Sequence, residues 1–556
     1  MNILITYYEF SVLGFIMNEI LLKNGTIIDG LKNPAYKADI LIEGEEIKEI
    51  SSIKEADLII DCSGLIIAPG FIDIHSHYDF SYFVDKYAMA SIQQGITTEV
   101  IGNCGLGLAP MIDLVKNYYD QYISFIIGEI EFQPFKRLAD FMNYVEKNGC
   151  SLNLAYLIPQ GNIRAAIMEM DDRYPSPNEL EHMKELVAQG MQDGAFGLST
   201  GLIYPPGSNT TTQELIELCQ VVKQYGGIYA SHIRDEGIGV VSAISEAIEI
   251  GRQSGVPVQI SHIKVAGAFP GKRFQMVKEI INKARAENLD IMADTYPYTA
   301  GNAVLSSLLP PWVFEGGKEQ FLKNLSDTET RKRIIKEFKE FIWTIAGIPW
   351  YLRFIPKSIW LRLLPRILSE RVLLTSLSKH TNLIGKTLKE AVAMLYPGKP
   401  LTEAVIDLLI EEEGQIVINM FLMKEKNVLE FMEMPFVMFS TDNLSTKEGN
   451  PHPRVYGTYP RILSCKKLKL SLEELIHKMT FLPAQRLKLT DRGIIKTGKK
   501  ADLVVFDPKT IKDMATHENP KQFPIGIEYV LVNGILTVKK GKHTHQLSGQ
   551  VLKHKN

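Results

Sequence analysis

Six side chains in this sequence have the donor atoms and the contexts needed to hold and use a metal ion. His75 and His77 stand at i and i+2 in Gly70-Phe71-Ile72-Asp73-Ile74-His75-Ser76-His77-Tyr78-Asp79, just past an apolar run. In extended chain such residues project to one side, where two imidazole nitrogens can share a cation. An H-x-H pair alone says little; behind Gly-Phe-Ile-Asp at a strand end it says much more. His232 and His262 repeat one context, Tyr229-Ala230-Ser231-His232 and Gln259-Ile260-Ser261-His262, one βα unit apart. A lone histidine there is ordinarily structural; two in register beside the H-x-H point to ligands. Cys104 lies in Ile101-Gly102-Asn103-Cys104-Gly105-Leu106-Gly107. An isolated cysteine is usually a small apolar filler, but a glycine-rich turn lets backbone approach closely and favours a thiolate ligand. One thiolate and two imidazoles leave a fourth position open for water, as in catalytic zinc sites. Asp442, in Val437-Met438-Phe439-Ser440-Thr441-Asp442, ends another apolar run. A carboxylate there can take a proton from a metal-activated water and pass it to a leaving nitrogen; the competing reading is a helix N-cap.

Residues so far apart need a scaffold that returns each to one place. Short apolar runs ending near Ile74, Ile101, Leu157, Ser199, Ser231, Ser261, Asp294 and Ser440 alternate with helical patterns such as Gly237–Gly251 and Arg273–Glu287. That alternation predicts parallel βαβ units. Eight of them predict a (β/α)₈ barrel of the TIM type, with chemistry at the strand C-terminal ends, where the six side chains fall. The two ends of the chain have a different texture. Short Ile-rich runs with turns at Asn24-Gly25, Asp29-Gly30 and Gly44 lead in, and IIKTGKKADLVVFDP and IEYVLVNGILTVKKGK, with Asn533-Gly534, lead out. These predict hairpins and one small β-sandwich domain built from both termini (17–69 and 490–552), flanking a barrel over 70–489.

Between the last two barrel strands, an insertion over 310–429 holds all four tryptophans, Trp312, Trp343, Trp350 and Trp360. Its stretch IWTIAGIPWYLRFIPKSIWLRLLPRIL is apolar but broken by Pro349, Pro356 and Pro365 and by Arg353, Lys357, Arg362 and Arg366. The expectation is the buried core of a lid, with a subunit or membrane-surface contact as the alternative.

The 556-residue length is enough for two or three domains, and a net charge of −3 offers no argument for a nucleic-acid or anionic partner. Cys62, Cys104, Cys150, Cys219 and Cys465 are odd in number and scattered, which disfavours a disulfide framework and fits a reducing cytoplasm. Residues 1–16 are apolar without a basic start or a small-residue cleavage site, so they read as an extension, or a misplaced start ahead of Met17, rather than a signal peptide. No run is long and uninterrupted enough for a membrane span.

From about Met17 to Leu552 the chain resembles the N-acyl-D-amino-acid deacylase (D-aminoacylase) family of the amidohydrolase superfamily. The resemblance rests on GFIDIHSHYD, GITTEVIGNCG, GAFGLSTGLIYPPG, SHIRDEG, SHIKVAG, ADTYPYTAG, NPHPR and PIGIEYVLVNG. It implies hydrolysis of a small N-acyl amino acid with zinc as cofactor. It also implies a tight zinc on Cys104, His232 and His262, and a weaker second position on His75 and His77 that Cys104 can bridge. Asp442 is then the general acid/base, and Lys264, Tyr296 and Arg454 grip the substrate carboxylate, with Tyr298 and Arg234 as substitutes. Other superfamily members bridge two metals with a carboxylated lysine; GAFGLSTG, at the end of the fourth strand, has none. The chain departs from the family at Asn443, where glycine is common, and at Gln160, where histidine is common. The rival readings are a cyclic-amide hydrolase, which normally needs the bridging lysine, and a catalytically dead scaffold, which would be expected to have lost ligands.

Overall fold

The computed structural model describes residues 19–119, 134–267, 270–314, 317–346, 348, 354–444 and 449–555. The N-terminal extension, and Pro349, Trp350 and Arg353 of the insertion, lie outside them. Eight parallel strands form one sheet in sequence order: β1 (Phe71–Asp73), β2 (Ile96–Ile101), β3 (Asn153–Pro159), β4 (Gly197–Gly201), β5 (Ile228–His232), β6 (Val258–Ile260), β7 (Ile291–Thr295) and β8 (Val437–Phe439). Every residue of β2, β3 and β4 is buried, as expected of strands covered on both faces. The sheet closes past its named ends. Ser76 bridges Asn443 in parallel register, the His77 amide donates to the Asn443 carbonyl (2.8 Å), and the Asp442 amide donates to the His75 carbonyl (2.9 Å). Asp73 strengthens this seam by accepting from the Thr441 amide at 3.1 Å and from the His75 amide at 3.2 Å. The fold is the (β/α)₈ barrel that the alternation predicted.

The covering helices follow from apolar spacing and capping. Thr212–Gln224 starts at Thr211, whose hydroxyl accepts from the Glu214 amide (3.2 Å), and buries Leu215, Leu218, Cys219 and Val222. Val240–Ser254 stops at Gly255, which takes the left-handed conformation (φ +73°) that ends many helices.

The chain ends build two further sheets. Glu19–Lys23, Asp39–Glu43, Glu46–Ser51 and Leu58–Asp61 make one; Thr26–Ile27, Tyr36–Lys37 and Ile66–Pro69 join Leu503–Phe506, Ile527–Val532, Ile535–Lys539 and Lys542–His543 in the other. Ile66–Pro69 pairs antiparallel with Leu503–Phe506. Ile27, Ile42, Ile60, Leu503, Val505 and Leu531 share a buried cluster between the sheets.

The insertion has a core separate from the barrel's. Gly301–Val304, Ile416–Met420 and Val372–Leu377 form an antiparallel sheet, so its first strand precedes the Pro310 boundary read from composition. Leu305, Phe321, Ile334, Phe338, Leu374, Val405 and Ile418 are buried around it. Trp312, Trp343 and Trp360 are only half-buried at its margin. The helix Lys357–Ser369 buries Leu364 and Pro365 but leaves Ile359, Leu363 and Ile367 exposed. This helix of the apolar stretch is therefore core on one face only.

Candidate active site

The barrel seam sets the first part of the site. Because β1 and β8 continue side by side, His75 and His77 lie against Asp442: their Nε2 atoms are 3.5 and 3.3 Å from its Oδ1. Arg454 closes the other side, with Nη2 2.9 Å from Asp442 Oδ2 and Nε donating to the Asp442 carbonyl at 3.0 Å.

The turn after β2 brings in Cys104. Gly102 (φ +73°) and Gly105 (φ +68°) flank it at positions where a Cβ would lie 2.2 Å from the Leu157 carbonyl oxygen and 2.8 Å from the Gly201 nitrogen. Only glycine permits that approach. Cys104 Sγ is 3.3 Å from His75 Nε2 and 3.6 Å from His262 Nε2. His262 Nε2 in turn lies 3.0 Å from His232 Nδ1. Around a tetrahedral zinc, bond lengths of about 2.05 Å to nitrogen and 2.3 Å to sulfur put nitrogens about 3.3 Å apart and nitrogen and sulfur about 3.6 Å apart. The Cys104–His262 spacing equals such an edge, and the other two are about 0.3 Å shorter.

Among the described residues, three sets have donor atoms all within 4.8 Å of one another: His75–Cys104–His262, His75–His77–Asp442 and His232–Glu236–His262. The set expected from sequence, Cys104–His232–His262, is not among them as a closed trio. His262 is its junction, touching Cys104 on one side and His232 on the other. Cys104 (φ +55°), His262 (φ +34°) and Asp442 (φ +48°) all hold the left-handed conformation. That costs about 1–3 kcal/mol per residue, and such strain is concentrated at functional sites.

Burial dominates the electrostatics. It pushes the Cys104 thiol well above its usual range, with Asp442 adding to the rise. Burial likewise drives His75 well down and His232 to about 3, which keeps both imidazoles neutral and free to ligate. Burial also works to raise Asp442, but Arg454, His77 and His75 outweigh it and hold the carboxyl well below its ordinary value.

Three supporting residues went unassigned in the sequence. Glu236, in SHIRDEG, sits 3.2 Å from His262 Nδ1 and 3.5 Å from His232 Nε2. Asp294, ending β7, accepts from the His262 amide (2.9 Å), Ser440 Oγ (2.8 Å) and Gln259 Nε2 (2.8 Å), and faces His75 Nδ1 at 3.5 Å. Carboxylates behind imidazoles fix ring orientation and raise ligand basicity. Ser199, on β4, donates to the Gly102 carbonyl (2.5 Å) and accepts from the Gly105 amide (3.0 Å), bracing the Cys104 turn.

Lys264, Tyr296 and Arg454, expected to grip a carboxylate, lie beside one another. The Lys264 ammonium and the Arg454 guanidinium lie 5.9 and 4.8 Å from the centre of the Tyr296 ring. Lys264 also meets Glu236 at 2.6 Å and His262 Nδ1 at 2.8 Å. The two substitutes have partners of their own. Tyr298 donates to Asp513 and the Pro453 carbonyl, and Arg234 is tied to Glu246, Ser208 and Thr210. Gln160 donates to Thr210 and Glu214 instead of reaching the donor cluster. The insertion supplies one wall: Asn302 and Ser376 line a cavity of about 20 Å³ with Asn450, His452 and Arg454.

Comparison with known proteins adds the context. A profile described as "Amidohydrolase family" matches residues 413–538. A D-aminoacylase from Alcaligenes xylosoxydans xylosoxydans is 34% identical over 96% of this chain and 97% of its own length. A D-aminoacylase structure described for its binuclear metal center superposes with a TM-score of 0.78 at 31% identity, covering 96% of this chain and 99% of the other. The N-acyl-D-glutamate deacylase of Bordetella bronchiseptica, solved with zinc and a phosphonate mimic of the tetrahedral intermediate, gives 0.76 at 26% identity with the same coverage.

Proposed function

The chain belongs to the N-acyl-D-amino-acid deacylase (D-aminoacylase) family of amidohydrolases, and from that premise we propose how its barrel rim hydrolyses the amide bond of an N-acyl-D-amino acid. The observation that carries the reading is the chain of contacts at 3.0–3.6 Å linking His75, Cys104, His262 and His232. In this reading Cys104, His262 and His232 hold a divalent ion, taken to be zinc, with His262 at the junction. His75 and His77, with Cys104 between the two positions, offer a second, weaker place. The bound ion supplies Lewis acidity toward the amide carbonyl and toward a water molecule.

The chain's own residues do the rest. Asp442, kept ionised by Arg454 and the neighbouring imidazoles, takes the proton of the attacking water and returns it to the departing amine. Glu236 and Asp294 hold the rings of His262 and His75 so that their Nε2 atoms face inward. Lys264, Tyr296 and Arg454 bind the amino-acid carboxylate; Arg454 thereby couples substrate binding to the acid/base, since it already touches Asp442. The 310–429 insertion, whose sheet lines the cavity beside Arg454, serves as a lid that excludes water. The segments 17–69 and 490–552 act as one small supporting domain around the 70–489 barrel. The five cysteines are free thiols, in keeping with a reducing cytoplasm.

The test is release of free amine from N-acetyl-D- and N-acetyl-L-amino acids by zinc-replete enzyme, before and after exhaustive chelation. Turnover of D substrates, lost with the metal and restored by zinc, is expected. Failure with every D substrate, or turnover indifferent to chelation, overturns the reading.

A further inference from the structure

The helix Lys357–Ser369 presents an apolar stripe to solvent. Ile359, Leu363 and Ile367 recur every four residues and so line one face. Phe354 precedes them, and Phe341 stands on the neighbouring helix Thr328–Ala346. Phe354 is 79% exposed and the other four are 39–45% exposed. Single exposed apolar side chains need no explanation; a stripe along one helix face does. From Pro356 to Ser369 the sequence has Lys357, Arg362 and Arg366 and no acidic residue. Of the three, only Lys357 has an acidic partner among the described residues, Glu340 at 2.6 Å.

Three occupants could cover such a face, and magnitudes separate them. An alkyl chain needs a pocket, but the cavity on the far side of the helix, lined by Phe338, Phe341, Ile342, Pro365, Leu368 and Met420, holds only about 50 Å³. That is room for a few waters. A second copy joined face to face would set Arg362 and Arg366 of one chain against those of the other, like charge on like. An anionic lipid surface satisfies both halves of the face: apolar side chains enter the headgroup–acyl boundary and the guanidiniums meet phosphates. The helix cannot span a bilayer. Its 13 residues rise about 20 Å against a core of about 30 Å, so it lies in the plane.

We propose that the stripe of Ile359, Leu363 and Ile367, with Phe354 ahead of it and flanked by Arg362 and Arg366, docks the protein on an anionic membrane surface. The docking face is independent of the deacylase reading and stands or falls without it. The experiment is co-sedimentation of the full chain with phosphatidylcholine vesicles, either pure or containing about one third phosphatidylglycerol. Binding to the anionic vesicles, at least about ten-fold tighter than to pure ones and weakened by salt, is expected. Leu363→Glu with Ile367→Glu abolishes it, while the thermal unfolding midpoint of the protein without vesicles stays unchanged because both side chains are exposed. Arg362→Gln and Arg366→Gln each weaken binding about five-fold. The proposal is overturned by absence of binding, by binding that the glutamate variant retains, or by a solution dimer that the glutamate variant splits, which would assign the face to a second copy.

Discussion

Glu412 in the insertion and Asp442 at the barrel rim are both buried carboxylates, and they are served differently. Glu412 accepts from Ser378 N (2.6 Å), Ser378 Oγ (2.9 Å), Lys379 N (2.9 Å), His380 N (2.7 Å) and His380 Nδ1 (2.7 Å), all from one short loop. Burial works to raise its pKa, but these donors hold it below the usual value. It is a brace: its lone pairs are spent on its surroundings. Asp442 takes its three partners from two separate segments, the turn that carries His75 and His77 and the helix that starts at Arg454, and two of the three are imidazoles. The difference teaches how to read a buried charge. One saturated by local backbone stabilises a loop, whereas one held among titratable side chains from distant segments is poised to exchange a proton.

Substitution should separate the two carboxylates sharply. Asp442→Asn is expected to lower kcat by about 10²–10⁴, the range for loss of a general acid/base, measured as amine release at saturating substrate. Equal activity in that variant would place Asp442 with the braces. Glu412→Ala should leave turnover per folded molecule nearly unchanged and lower unfolding free energy by about 1–3 kcal/mol through stranded donors, read from denaturant melts. A rate loss there without a stability loss would erase the contrast.

The smallest effect concerns protons at the donor cluster. Burial raises the Cys104 thiol, so it carries a proton near neutrality, while His75 and His232 are already neutral. Binding zinc must then expel one proton, and raising pH removes the competitor. Zinc affinity should rise about ten-fold per pH unit above neutrality, about 1.4 kcal/mol per unit, in competition titrations with a chromophoric chelator. A flat profile would remove the thiol from the ligand set; a hundred-fold slope would mean that an imidazole is protonated too.

Much of the barrel was legible because buried parallel strands are apolar runs that stop where polar side chains begin. Runs expected to end near Ile101, Ser231 and Asp294 end at Ile101, His232 and Thr295. Glu236 and Asp294 escaped notice because a carboxylate in a loop or at a strand end gives no sign of which imidazole it will face. Asp294 was treated only as the end of a strand, although an acid directly after an apolar run was the same signal that singled out Asp442. In the insertion, an apolar helix pattern reports two apolar faces but not which one has a partner. Leu364 and Leu363 are adjacent, and only packing buries the first and exposes the second.

The donor inventory and its placement at strand ends were determined by sequence, because side-chain chemistry and apolar periodicity are local properties. Which donors meet was decided by tertiary structure. The β1–β8 seam sets Asp442 against His75 and His77, His262 becomes the junction between Cys104 and His232, and Lys264 turns toward Glu236. Those pairings depend on how the barrel closes and how its loops are strained, and closure is a property of all eight strands together that no single segment encodes.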